Sequence, residues 1–466
     1  MAEILKRSKA LSVKPLKSSP TVGAALAFLG VDRAIPMLHG AQGCTAFAKV
    51  VLIQHFSEPI PMQTTAVDHA SAVMGADSNV IEGLARVCAD SEPALIGLAS
   101  TGLTETEGSD IRRLVHEFRA RHPEYADIVV VAVNTPDYVG CLESGYAAAT
   151  KAMIEDQVPE SGARPGYRVH RVNLLAGPHL TPGDVEELKD LIAAFGLDAI
   201  VLPDLSDSLD GHLAPGDHSN VTTGGTPVAD IQAMGDSAAT LVVGTAMTGA
   251  ADVLAHRTGV PDFRFAHAMG LQAVDAIVAA LAEISGRPVP RKIERHRARL
   301  QDAMMDTHFA LGTTPVGVAG DPDLVNALAD LLRSVGADPV AVVAADYAPV
   351  LRSMAVDCVK VGDIEDLETM AREAGAVLLI GNSHVAATAD VLGLPLLRAG
   401  FPISDVMGGQ QRTWVGYRGS CRTLFDLANL ALARHHGPAP YRSVFSTPDN
   451  PRGHHGQATE AIGRPH

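Results

Sequence analysis

The feature that most restricts this chain is an alternation that recurs along it: short apolar runs rich in Val, Ile and Leu, each followed by a segment whose apolar residues fall three and four apart. Uninterrupted apolar runs suit strands buried on both faces, and their alternation with amphipathic helices is the pattern of parallel sheets wrapped by helices. In the first block Ala94-Leu-Ile-Gly-Leu-Ala99 reads as a strand. Ile111, Leu114, Val115 and Phe118 then mark one helical face, and Ile128-Val-Val-Val-Ala-Val133 is the next strand. That is a βαβ unit.

The second block runs from Arg171-Val-Asn-Leu-Leu175 through Thr181-Pro182, an N-cap with a first-turn proline, to a helical face of Val185, Leu188, Leu191, Ile192 and Phe195 ended by Gly196. Ala199-Ile-Val-Leu202 and Ala239-Thr-Leu-Val-Val243 follow as strands. The third repeats the theme: Val316-Gly-Val-Ala319, then Asp321-Pro322 as cap and first-turn proline, a face of Leu324, Val325, Leu328, Leu332 and Val335 before Gly336, and Val340-Ala-Val-Val343. Ile364, Leu367 and Met370 with Gly375 mark a further helix, and Val377-Leu-Leu-Ile380 a further strand. A chain of 466 residues exceeds one hydrophobic core. The economical reading is α/β, with three doubly wound, Rossmann-like domains of mainly parallel sheets.

Composition shifts suggest the boundaries. The Pro/Gly-rich stretch Val158 to Gly166 suits a linker, and Gly286-Arg-Pro-Val-Pro290 precedes a basic helical segment from Arg291 to Arg299 that bridges to the last unit. The expected units are residues 1–162, 163–290 and 291–445. Residues 446–466, poor in apolar side chains, are expected to form a mobile tail.

Charge and motifs exclude several functions. A formal net charge of -16 opposes a phosphate backbone or an anionic membrane as main partner. No stretch is apolar enough for a membrane span, and Met1-Ala-Glu-Ile-Leu-Lys-Arg lacks the apolar run of a signal peptide, so a cytoplasmic location is expected. No Walker A, strand-linked G-x-G-x-x-G, G-x-S-x-G or H-E-x-x-H signature is present. The cysteines Cys44, Cys88, Cys141, Cys358 and Cys421 are odd in number and widely spaced, which argues against a disulfide framework.

Ligands of parallel-sheet proteins lie beyond the carboxyl ends of the strands. One segment fits that location. Ala34-Ile-Pro-Met-Leu38 reads as a strand, and His39-Gly-Ala-Gln-Gly-Cys44 leads into a helix from Thr45. Glycines at 40 and 43 permit a tight turn or close approach of a bulky group, and a helix N-terminus favours a thiolate. The local pattern leaves two readings open, an iron ligand or a structural thiol after a tight turn.

Resemblance to a known family narrows them. Gly30-Val-Asp-Arg-Ala-Ile-Pro-Met-Leu-His-Gly-Ala-Gln-Gly-Cys44, Phe56-Ser-Glu-Pro59 and the segment from Ala72 to Gly83 resemble the first domain of the nitrogenase component 1 family. Thr101 to Glu105, Asn134 to Gly140, His179 to Asp184, Gly400 to Asp405 and above all the string Leu202-Pro-Asp-Leu-Ser-Asp-Ser-Leu-Asp-Gly-His212 resemble its cofactor-assembly branch. The catalytic β subunit of that family holds its half of an eight-iron cluster with three cysteines. Here only the first has a counterpart, because the others align near Met62 and at Gly102.

The resemblance implies a β-like subunit of a scaffold that matures the nitrogenase iron-molybdenum cofactor. It implies a 4Fe-4S cluster shared with a partner, NifE, which supplies three cysteines while Cys44 supplies one. The cofactor precursor would reside mainly in NifE, the complex would hold two copies of each subunit, and NifH and cofactor donor or acceptor proteins would dock transiently. No catalytic residue is assigned to this chain. The alternatives are the electron-transferring β subunit of nitrogenase or of a protochlorophyllide or chlorophyllide reductase, and a metal-free three-lobed binding protein. Cys88, Cys358 and Cys421 are expected to be packing residues. Cys141 and His39 are candidates for contact with a cluster, Glu105 and Glu107 are expected to serve a helix dipole, and His454 and His455 bind metal at most adventitiously.

Overall fold

The computed structural model describes residues 2–6, 12, 14–160, 164–212 and 219–433. The expected tail and its two histidines lie outside them. Three sheets organise the chain, and every strand pairing among the described residues is parallel. The strands are β1 (Glu3–Lys6), β2 (Ala34–His39), β3 (Gln63–Thr64), β4 (Leu95–Ser100), β5 (Val129–Val133), β6 (Arg168–Ala176) and β7 (Asp198–Leu202). They continue as β8 (Ser237–Val243), β9 (Asp262–Phe265), β10 (Pro315–Gly320), β11 (Asp338–Ala344), β12 (Cys358–Val361), β13 (Leu378–Gly381) and β14 (Leu396–Arg398). The orders are β3-β2-β4-β5, β7-β6-β8-β9 and β1-β12-β11-β10-β13-β14.

These are doubly wound sheets, and the apolar runs seen in the sequence are among their strands, β5 and β7 at sheet edges and the others inside. β2, β4 and β13 are buried at every position, as strands covered by helices on both faces must be. The caps behave as their chemistry dictates. Thr181 closes a capping box with Asp184, and Pro182 opens the helix Pro182–Ala194. Asp321 sits at the expected N-cap of the helix Pro322–Ser334, but its side chain makes no capping hydrogen bond. Its carboxyl instead meets the Cys141 thiol, and burial pushes it up to about 7.

β1 has no counterpart in the sequence pattern. It pairs in parallel with β12, so the first residues of the chain form an edge of the sheet built from its last third. The Leu202 to His212 string leaves β7 and folds against the corner before β2: Asp204 N donates to Gly30 O at 3.0 Å, and a Cβ on Gly30 would lie 2.5 Å from Pro203 Cβ. None of the described helices is long and apolar enough to cross a membrane.

Seven helices surround the first sheet: α1 (Pro20–Leu29), α2 (Gln42–Phe56), α3 (His69–Met74), α4 (Asp77–Ser91), α5 (Gly102–Glu107), α6 (Ile111–Arg121) and α7 (Leu142–Gln157). All of α1 is buried, and it packs on α7 through two glycines. A Cβ on Gly23 would stand 1.9 Å from Leu142 O, and one on Gly145 would stand 1.8 Å from Pro20 O. Both obstacles are backbone, so neither can rotate away. Gly145→Ala should therefore destabilise the fold by roughly 1–3 kcal/mol, the usual range for overpacking. A lowered thermal unfolding midpoint checks this, and an unchanged midpoint would contradict the close crossing.

Candidate functional site

β2 and β4 lie side by side, with Ala34 opposite Leu95 and His39 opposite Ser100. Their carboxyl ends, and the helices that follow them, therefore open on the same edge of the sheet. α2 follows β2 after Gly40 and Ala41, and Cys44 stands in its first turn with its N–H bonded to Ala41 O at 3.0 Å. Ala41 supplies no side-chain cap. α5 follows β4, and Gly102 is its first residue. The two positions thus occupy matching places after neighbouring strands, and Gly102, where the resemblance implies an absent cysteine, carries no side chain. Met62, aligned with the other, is packed in the core.

Neither Gly40 nor Gly43 has a positive φ, so the turn does not require left-handed backbone. Gly40 answers to close approach, since a Cβ there would lie 2.5 Å from Thr101 Oγ1. Gly43 faces open space, and a Cβ there would meet nothing within 4 Å. Cys44 is exposed at a cavity of about 380 Å³, which Phe47, Thr21, Thr101, Asp137, Lys17 and His384 help to line. The neighbouring Thr45 hydroxyl is buried and has no hydrogen-bond partner among the described residues.

The electrostatics differ from the sequence expectation. Partial desolvation, and after it the negative charge of Asp137, push the Cys44 thiol above its ordinary range, and backbone hydrogen bonds at the helix start only partly offset this. In the isolated chain Cys44 is therefore a thiol at neutral pH. A metal that binds it must displace the proton.

The other sequence candidates lie elsewhere or are already engaged. His39 is fully buried; Nδ1 is 2.9 Å from Thr65 Oγ1, Nε2 is 3.0 Å from Ser109 Oγ, and burial lowers it to about 4. It is a neutral structural ring with both nitrogens occupied. Cys141 is buried at the N-cap of α7, where desolvation, followed by the charges of Asp321 and Glu143, raises its thiol strongly. It belongs to a buried acidic junction: Asp323 N donates to Glu143 Oε2 at 3.0 Å, and Asp323 Oδ2 accepts from Ala246 N at 2.9 Å. Cys88 is buried in an apolar cluster that raises its thiol to about 11. Cys358 lies on β12, and Cys421 packs against the largest core.

Glu105 stands in the first turn of α5, where it accepts hydrogen bonds from Ser100 Oγ and from Asn134 Nδ2, the latter at 2.6 Å. Glu107 instead ends that helix, where the dipole is unfavourable to it. The resemblance pointed to the loop from Asn134 to Gly140, but sequence reasoning did not single out Asp137 within it as the side chain that lines the Cys44 cavity. It missed Thr45 as well.

The rim is apolar. Phe47 is 71% exposed and Met74 88% exposed, and Val50, Leu103, Tyr138 and Val139 are exposed as well. Large apolar side chains left exposed on elements that end at one sheet edge are candidates for an interaction surface. Among the described residues no three His, Cys, Asp or Glu side chains converge to hold a metal ion.

Comparisons with known proteins agree on one family. The model of the nitrogenase component 1 type oxidoreductases matches residues 19–432. The chain is 45% identical over 443 residues to the nitrogenase iron-molybdenum cofactor biosynthesis protein NifN of Klebsiella pneumoniae, covering 95% of this chain and 96% of that protein. It is 44% identical to the protein of the same name from a Nostoc species, covering 93% and 96%. Among solved structures, "Nitrogenase Cp1 at pH 6.5" superposes with a TM-score of 0.87 at 29% identity, covering 94% of this chain and 98% of that one.

The thiol ranking can be measured on the isolated chain. Iodoacetamide should modify Cys44 faster than Cys88 and Cys141, at a rate that climbs about tenfold per pH unit from pH 7 to 8, because the thiolate is the nucleophile and its fraction is small there. Peptide mass spectrometry reads this out, and a rate already at its plateau at pH 7 would contradict the raised thiol.

Proposed function

Because this chain belongs to the nitrogenase component 1 type oxidoreductase family, we propose that it is the β-like subunit of a scaffold on which the nitrogenase iron-molybdenum cofactor is matured, and that Cys44 contributes one ligand to a 4Fe-4S cluster shared with its partner. Identity above 40% over nearly the full length of two relatives named for cofactor biosynthesis supports the scaffold role. The observation that carries the cluster role is the placing of Cys44. It is the cysteine at the exposed edge of the first sheet, in the uncapped first turn of α2, with the site of a lost companion, Gly102, beside it after β4.

The residues present fit a cluster that is attached here by one thiolate. Gly43 leaves room, Gly102 puts no side chain in the way, the positive end of the α2 dipole suits an electron-rich sulfide, and the orphaned Thr45 hydroxyl stands beside the thiol. Such a cluster supplies one-electron transfer. This chain's part is to present Cys44, to give up its proton on assembly, and to exclude water by docking the apolar rim of Phe47, Val50, Leu103, Tyr138 and Val139 against the partner. The partner would be a NifE-type subunit supplying three cysteines and holding most of the cofactor precursor, in a cytoplasmic complex with two copies of each chain. NifH would dock transiently. Met62 and Gly102, in place of thiolates, disfavour the reading as a catalytic nitrogenase β subunit.

The test is made on the complex co-expressed with its partner and purified without oxygen. The reduced complex should show a 4Fe-4S EPR signal that Cys44→Ala abolishes or strongly weakens. An identical spectrum in the variant would remove Cys44 from the ligand set.

A further inference from the structure

One carboxylate enters the Cys44 cavity, and its position is fixed from two sides. Asp137, in the loop between β5 and α7, accepts from Thr21 Oγ1 at 3.1 Å and from Gly102 N at 3.2 Å. These donors belong to the first turns of α1 and α5, two different helices. A Cβ on Gly102 would stand 3.5 Å from Asp137 Oδ2, so the carboxylate occupies the space beside the position where the family's catalytic β subunit has a cysteine. Lys17, which lines the same cavity, is 3.6 Å from Asp346, so its charge is engaged elsewhere.

We infer that Asp137 is a positioning residue for the iron–sulfur group attached through Cys44, and that its fixed negative charge in the shared cavity lowers the reduction potential of that group. This inference rests on the reading of Cys44 as a ligand. Adding an electron to the group adds negative charge, and a carboxylate nearby opposes that addition more than it opposes the oxidised state. Tyr138 and Val139 follow Asp137 directly and are exposed. When a partner covers them, water leaves, the local dielectric falls and the influence of the charge grows. A low potential makes the group a stronger electron donor once reduced.

Asp137→Asn keeps the shape and removes the charge. The Asn oxygen can still accept from Gly102 N, while Thr21 Oγ1 can turn its single proton from residue 137 to Thr135 O, at 2.9 Å, and accept from the Asn amide. In the anaerobic complex with its partner, D137N should retain the full EPR signal. Its midpoint in a redox titration should rise by about 59 mV, a tenfold change in a one-electron equilibrium. Asp137→Glu, which restores the charge, should bring the midpoint back toward that of the unmodified complex. A full signal with an unmoved midpoint in D137N would overturn the inference. So would loss of the iron in D137N, since the carboxylate would then be needed for attachment instead of tuning. An EPR signal indifferent to Cys44→Ala would instead overturn the underlying reading, so the two failures are distinguishable.

Discussion

The parallel registration of β2 against β4 is the constraint on which the site depends. With His39 opposite Ser100, both strands end on one edge, and the helices that follow begin side by side. Thr101 and Thr104 hold this registration at its end, since both hydroxyls donate to His39 O, at 3.0 and 2.9 Å. A slip of one residue would turn every side chain of β2 to the opposite face and swing the first turn of α2 away from Gly102 and Asp137. The chemistry is therefore placed by backbone pairing, and His39 serves it as a buried neutral strut between Thr65 and Ser109.

Much of this was legible in the sequence, for definite reasons. Parallel strands covered by helices on both faces are apolar throughout, so Leu95–Ser100, Val129–Val133 and Leu378–Gly381 announce themselves, and Thr181-Pro182 marks a helix start by chemistry local to those residues. What escaped depends on contacts distant in sequence. β1 is short and half exposed, and only its pairing with β12 makes it a strand. α1 is buried all round, so it shows no polar face to give it a period. Asp321 has the sequence of a cap, yet the fold brings the buried Cys141 to its carboxyl. The raised thiol of Cys44 in the free chain escaped for the same reason, because it follows from partial desolvation and then from Asp137, which the loop after β5 brings into its cavity.

The raised thiol suits a subunit that is one part of a site. A free thiolate at an exposed helix start would be open to oxidation and to stray metals, whereas a protonated thiol is a poor nucleophile and a poor ligand. In the proposed assembly, cluster attachment would couple loss of the proton to assembly, because the metal would have to provide the free energy that desolvation and Asp137 withhold. The exposed apolar rim points the same way: Phe47 and Met74 in water are a cost to the lone chain that burial against a partner would relieve. Family membership, an unaccompanied cysteine and an exposed apolar rim are each what the proposed arrangement requires, in which a partner would complete a metal site at a rigid sheet edge.

The most direct measurement is an experimental structure of the oxygen-free complex of this chain with its NifE-type partner. The account requires Cys44 Sγ to be bonded to an iron of a 4Fe-4S cluster whose remaining ligands are three cysteines of the partner, with the rim around Phe47 and Tyr138 buried at the boundary. A cluster held by four cysteines of the partner, or a Cys44 that faces solvent in the assembled complex, would contradict it.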